Sequence, residues 1–193
     1  MKSKQALIAT ILFILFLSGC IPSIHSLYTD DDIEFRKELL GDWIDSDKNT
    51  WSFTSDNQEN YILEYAEGNF LSEEDKLVKG YFITHLVKLD DYYFLDLYPD
   101  DNDQLEMPSL LINTLLPVHI FAKVEFGQSE MVVKFFNPDR MKELLEEGRI
   151  RINHEETDEL FVLTASTREL QRFVLKYAED EEAFIDELIL KRN

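Results

Sequence analysis

Apolar and polar residues alternate through the middle of the chain, a period-two pattern that is typical of β-strands with one buried face. Trp51 and Phe53 fall on the same side of the first clear strand. The polar run 56–60 then predicts a turn into a second strand. Apolar residues again take alternate positions in that strand: Tyr61, Leu63 and Tyr65. The two strands are therefore predicted to form a hairpin, with Trp51 and Phe53 in the core.

Further strands follow, separated by short polar turns. They are predicted over 77–89, 92–98, 118–126 and 131–136. Strands joined by such turns pair antiparallel, so the series predicts a meander. If the meander closes into a barrel, its inward positions carry bulky side chains: Tyr61, Leu63, Tyr65, Tyr93, Leu95 and Leu97. This volume predicts a filled interior rather than a large internal ligand site.

Helical signals lie mainly in the last third of the chain. Asn137 is a candidate N-cap for a helix over 139–147. Ser166 and Glu169 are spaced as a capping box for a second helix over 167–178. Short strands are also predicted around these helices, over 149–152, 160–164 and 183–190. The order of elements favours an α+β fold, mainly an antiparallel β meander, with late helices packed on the sheet.

A short motif opens the first strand. The segment 34–40 is predicted to form a short helix that leads into Gly41-Asp42-Trp43. This motif resembles the G-x-W signature of the lipocalins, which are eight-stranded up-and-down barrels. The resemblance implies that an arginine packs against Trp43, and Arg192 in a final strand fits that role. The alternative is an unrelated meander sheet in which Trp43 is an ordinary core residue.

The N-terminus has the composition of an export signal. Lys2 and Lys4 precede the apolar run 6–17. A helix of that run is only ~18 Å long, too short for a hydrocarbon core of ~30 Å. A basic start, a short apolar run and small residues at its end are typical of a secretory signal peptide. We therefore expect residues 1–19 to be a removable signal.

The residues that end this segment are Leu17-Ser18-Gly19-Cys20, and they include the single cysteine of the chain. They resemble the lipobox of bacterial lipoproteins. The resemblance implies that Cys20 receives a diacylglyceryl group, that the signal is cut before Cys20, and that the protein is anchored to a membrane of the bacterial cell envelope, facing away from the cytoplasm. The alternative is an ordinary signal peptide with a chance cysteine. Residues 20–32 are expected to be a lipidated tether, and 33–193 a single globular domain.

The charge balance restricts the possible partners. The formal net charge is −20, and removal of Lys2 and Lys4 makes it more negative. Such a field repels nucleic acid and anionic headgroups, so no nucleic-acid partner is expected. It attracts cationic proteins, although solubility alone also explains an acidic surface.

Candidate sites for chemistry are few. His154 to Asp158 differs from the zinc motif H-E-x-x-H by an aspartate in place of the second histidine. His85 and His119 lie in predicted strands and are placed to meet across a sheet. Asp100, Asn102 and Gln104 alternate like calcium-loop ligands, but the loop lacks the glycine and Glu106 comes too early. We expect each group to be structural, and therefore no metal, cofactor or catalytic residue.

These observations predict a lipid-anchored envelope protein with a non-catalytic binding or accessory role. The leading interpretation is docking of a cationic partner on the acidic surface. One alternative is a lipocalin-like carrier of a small apolar ligand. Another is a hydrolase that uses carboxylate side chains, for which converging acidic residues in a pocket are the distinguishing feature.

Overall fold

The computed structural model describes residues 20–71, 77–100, 115–157, 161–185 and 187–193. Its strands are β1 (Pro22–Ser23), β2 (Gly41–Ile44), β3 (Thr50–Thr54), β4 (Tyr61–Leu71), β5 (Leu77–Leu89), β6 (Tyr92–Pro99), β7 (His119–Phe126), β8 (Glu130–Phe135), β9 (His154–Glu156), β10 (Phe161–Leu163) and β11 (Leu188–Arg192). Its α-helices are α1 (Pro138–Glu146) and α2 (Thr167–Lys176). Three short 3-10 helices cover Asp30–Asp32, Lys37–Leu39 and Glu181–Ala183.

The meander closes into an eight-stranded antiparallel barrel. Strands β2 to β8 pair in chain order, and β11 then pairs with both β8 and β2. Strands β1, β10 and β9 extend outward from β7. The predicted antiparallel meander is confirmed, and the closed barrel is consistent with a lipocalin-like architecture.

The barrel has a hydrophobic interior and a second hydrophobic cluster outside its wall. The interior holds Trp51, Phe53, Tyr61, Leu63, Leu95 and Leu97 as buried residues, with Tyr65 and Tyr93 packed against them. All six side chains expected to point inward are therefore part of the interior. The outer cluster joins Val87 and Phe94 of the wall to residues of both helices: Met141, Leu144, Leu170, Phe173 and Val174.

Trp43 and Arg192 bring the two ends of the barrel's strand series together. The indole nitrogen of Trp43 donates to the Leu39 carbonyl at 2.9 Å. The Arg192 guanidinium lies 4.5 Å from the centre of the Trp43 ring, and it donates to the carbonyls of Leu40 and Glu38 at 3.1 and 2.9 Å. Arg192 thus packs against Trp43, as the resemblance implied.

Gly41 is required beside this contact for two reasons. Its φ is +113°, a backbone conformation that residues other than glycine rarely adopt. A Cβ there would also lie 3.1 Å from Nη1 of Arg192.

Three predicted elements differ in the structure. Only Lys37–Leu39 of the predicted helix 34–40 is helical. No strand forms over 149–152, because the amides of Arg149 and Ile150 bond back to the Leu144 carbonyl. The apolar alternation there reflects the burial of two isoleucines in the outer cluster. The last strand begins at Leu188 instead of 183, because Asp180 caps a 3-10 helix there.

The expected tether is also different from a free linker. Ile21 and Leu27 are buried in the outer cluster, with Leu27 fully inaccessible. The Leu27 amide donates to the Asp96 carboxylate at 2.7 Å. Strand β1 pairs with β7 and β10. Two apolar side chains and backbone pairing therefore fix residues 20–28 against the barrel.

Replacing Trp43 with alanine should lower the free energy of unfolding by about 3–5 kcal/mol, because a buried aromatic side chain and its hydrogen bond are lost. Denaturant melts of the mature domain measure the change. Ile189→Ala is the control, since Ile189 is 42% exposed on the closing strand and should change stability by less than about 0.5 kcal/mol. Equal effects of the two substitutions would contradict the role assigned to Trp43.

Candidate functional site

One end of the barrel contains an apolar cavity of about 370 Å³. This volume falls within the range of small-molecule pockets, ~300–1,000 Å³. Most lining residues are apolar or aromatic and come from seven barrel strands and the segment before β11: Trp51, Leu63, Tyr65, Phe82, Leu97, Ile120, Phe135, Leu188 and Ile185. Cys20, Asp45 and Asn49 complete the lining.

The cavity lies at the end where β2 turns into β3, since Asp45 and Asn49 belong to that connection. The opposite end is filled. Leu39, Trp43 and Phe53 are buried there, and Phe35 stacks on the Tyr61 ring at 5.2 Å. The expected filling of the interior by bulky side chains thus holds at the closed end, while the other end leaves a cavity.

The polar residues of the lining hold the β2–β3 connection in place. The Asp45 carboxylate accepts hydrogen bonds from the amides of Asp47 and Asn49 and from the Asn49 side chain, each at 2.9 Å. The Asn49 side-chain oxygen accepts from the Gly68 amide at 3.1 Å. Asp45 is the one carboxylate among the described lining residues. Its oxygens are already used in these bonds, and the described part of the lining holds no second carboxylate to pair with it.

Trp51 contributes a buried aromatic side chain to this lining. It is 5% exposed and packs edge-on against Tyr65 at 5.0 Å. Its indole nitrogen is buried and has no hydrogen-bond partner among the described residues. A buried N–H without an acceptor costs roughly 1–3 kcal/mol.

Cys20 lies on the lining and is partly buried. Burial raises the pKa of its thiol to about 11. The pKa of Tyr65 is raised to about 12 by burial and by the negative charge of nearby groups, which include Glu67 and Cys20. The thiolate is the reactive form of cysteine, so the folded domain holds Cys20 as a poor nucleophile.

His85 and His119 do come together, on the outer wall of the barrel around Asp96. The fully buried Asp96 lies opposite His85 in the β5–β6 register. One carboxylate oxygen lies 2.6 Å from Nδ1 of His119, and the other accepts the Leu27 amide. The Tyr28 ring packs 4.1 Å from His85. This cluster holds the N-terminal segment to the wall.

The structure describes only part of the two other predicted groups. Nδ1 of His154 lies 2.9 Å from the Ile152 carbonyl, while Glu155 and Glu156 of the same strand are exposed and Asp158 lies outside the described residues. Asn102, Gln104 and Glu106 of the calcium-like loop also lie outside them. Among the residues that the structure describes, no group of three or more His, Cys, Asp or Glu side chains is arranged to hold a metal ion.

Comparison with known proteins gives no relative from which a function transfers. No protein-family model, curated protein or solved structure matches this chain. Within the described ranges, no helix is both long and apolar enough to cross a membrane.

Acidification should destabilise the protein partly through His85. Burial is the main cause that lowers the pKa of His85, and the positive charge of His119 adds to it while Asp96 opposes it. Below the unfolded-state pKa of about 6.5 the unfolded chain therefore binds a proton that the folded protein does not. Stability falls as the pH drops through that value and stops falling below the folded-state pKa.

His85→Phe keeps the ring contact with Tyr28 and removes this titration. Its stability should depend less on pH than that of the wild type between about pH 7.5 and 5.5, as measured by urea melts. His25→Phe, at an exposed position, is the control. An identical pH dependence for wild type and His85→Phe would contradict the assignment.

Proposed function

We propose that this protein is a lipid-anchored protein of the bacterial cell envelope whose barrel binds a small, neutral, apolar ligand. The observation that carries the ligand proposal is the cavity of about 370 Å³ with an almost wholly apolar lining. Pockets of this size and lining bury most of the surface of a small hydrophobic molecule. The lipobox-like residues Leu17-Ser18-Gly19-Cys20 support the anchor.

The charge of the protein favours a neutral ligand. A formal net charge of −20 repels anions such as free fatty acids, and Asp45 adds a carboxylate at the cavity. The apolar lining favours a molecule with an apolar body.

Docking of a cationic protein on the acidic outer surface is the second candidate, and the acidic surplus favours it. Such attraction weakens with salt, because the Debye length falls from ~10 Å at 0.1 M to ~3 Å at 1 M. Binding inside an apolar cavity has no comparable salt dependence. The geometry supports the cavity as the primary site, since the cavity offers a defined volume whose apolar lining suits an apolar ligand.

A neutral naphthylamine fluorophore should bind the mature domain that carries Cys20→Ser, with an affinity that changes little between low and high salt. Leu97→Trp fills the cavity and should weaken binding at least about tenfold, or roughly 1.4 kcal/mol. Calorimetry measures both affinities. Ile189→Trp, on the exposed outer side of β11, is the matched control and should bind as the parent does. Equal binding by both tryptophan variants would refute the cavity as the site.

Cys20→Ser should abolish lipid attachment in cells, because the serine hydroxyl replaces the only thiol of the chain. Radiolabelled fatty acid is expected on the wild type and not on the variant. Cys20 is not among the core residues, so the variant should retain a cooperative melt. Equal labelling of the two proteins would rule out the anchor.

A further inference from the structure

We infer that one acyl chain of the anchor on Cys20 enters the barrel's own cavity and occupies it when no other ligand is bound. This inference rests on the proposed lipidation and names the regulation of the proposed ligand site. That acyl chain then has two alternative positions: the cavity and the bilayer.

The first support is the position of Cys20. Its side chain is part of the cavity lining, together with Tyr65 and Ile120. Lipid attached to the sulfur therefore begins at the wall of an apolar cavity. A chain that starts there needs no diffusion to reach the cavity, and a short linkage of this kind corresponds to an effective concentration of about millimolar or above.

The second support is that the residues directly after Cys20 are held on the barrel. The next residue, Ile21, is 5% exposed and packs in the outer cluster. Pro22 then pairs with Ile120, which also lines the cavity, and Ser23 pairs with His119. On the other side of β1, the Ile24 amide donates to the Leu163 carbonyl at 2.9 Å. The attachment point is therefore fixed to the barrel from the residue after Cys20 onward.

The third support is the apolar lining around Cys20. Leu63, Phe82 and Leu97 line the same cavity as Cys20. The hydrocarbon of an acyl chain that lies among them is removed from water.

Occupancy of the cavity by this chain has a consequence for membrane attachment. One inserted acyl chain holds a protein only reversibly, whereas two hold it stably. A chain in the cavity is withdrawn from the bilayer, so a ligand that displaces it strengthens the anchor. By linkage, insertion of the chain into the bilayer must favour ligand binding by the same factor.

The test labels the anchor itself. Cells that produce the full chain are fed a fatty acid with a photoreactive diazirine at the end of its hydrocarbon. The lipidated protein is purified into phosphatidylcholine nanodiscs, irradiated and digested, and the acyl adducts are located by mass spectrometry. Adducts are expected on apolar residues of the cavity lining, such as Trp51 and Leu97. Leu97→Trp should reduce the adducts on the β3 peptide to background, while Ile189→Trp should leave them unchanged.

Two measurements separate this inference from the proposed function. An excess of the naphthylamine fluorophore during irradiation should remove the internal adducts. Adducts on nanodisc lipid alone, or only on the β2–β3 connection at the cavity's end, would overturn the inference even if the Cys20→Ser domain binds the fluorophore. Internal adducts on a protein whose Cys20→Ser form binds no fluorophore would support the inference and refute an external ligand.

Discussion

The barrel depends on the pairing of its last strand. Strands β2 to β8 alone would form an open sheet whose two edges expose unpaired backbone groups, an arrangement that favours aggregation. Strand β11 pairs with both edges and removes them. Arg192 fixes its register at one end by stacking on Trp43 and donating to the Leu40 carbonyl, a contact across 152 residues of sequence. Closure therefore joins strands that are far apart in sequence, with both helices lying between β8 and β11 in the chain.

Closure also produces the division of the interior on which the proposed ligand site depends. The contact of Trp43 with Arg192 lies at the end that Leu39, Phe53 and Tyr61 fill with large side chains. At the other end the polar groups of the β2–β3 connection bond to one another and to β4, so they keep the wall in place without filling the space behind it. The cavity is thus a space that remains at this end even though Trp51, Tyr65, Phe82 and Phe135 contribute large side chains to its wall.

Patterns that depend on near neighbours were predicted well from the sequence. The range 77–89 is the observed strand β5, and the cap at Asn137 begins α1, where its side chain accepts the amides of Asp139 and Arg140. The inward alternation of β4 and β6 was also predictable, because side chains of a strand point to opposite faces in turn. The meeting of His85 and His119 followed from their positions in neighbouring parts of the meander.

Features that depend on distant contacts were not predictable in this way. The segment 20–32 has no periodicity, and it is ordered by partners far away in sequence, such as Asp96, which is 69 residues from Leu27. The cavity was missed because the composition shows how many bulky side chains point inward but not where along the barrel axis they lie. A buried aspartate in the middle of an apolar strand, Asp96, was the available signal that some polar segment must cover the outer wall.

Strand β6 contributes both to the cavity and to the contact that holds the N-terminal segment on the barrel. Leu97 lines the cavity on its inner face, while the adjacent Asp96 on its outer face holds the Leu27 amide. From Leu27 the chain runs back through β1 to Cys20 at the cavity. A membrane anchor on Cys20 would therefore be connected directly to the barrel wall, through β7 and the Asp96 contact. A flexible tether would instead leave the barrel free to move relative to the bilayer. Because Cys20 also lies on the lining of the cavity, the proposed anchor and the proposed ligand compete for the same space, and this is why their occupancies should be coupled.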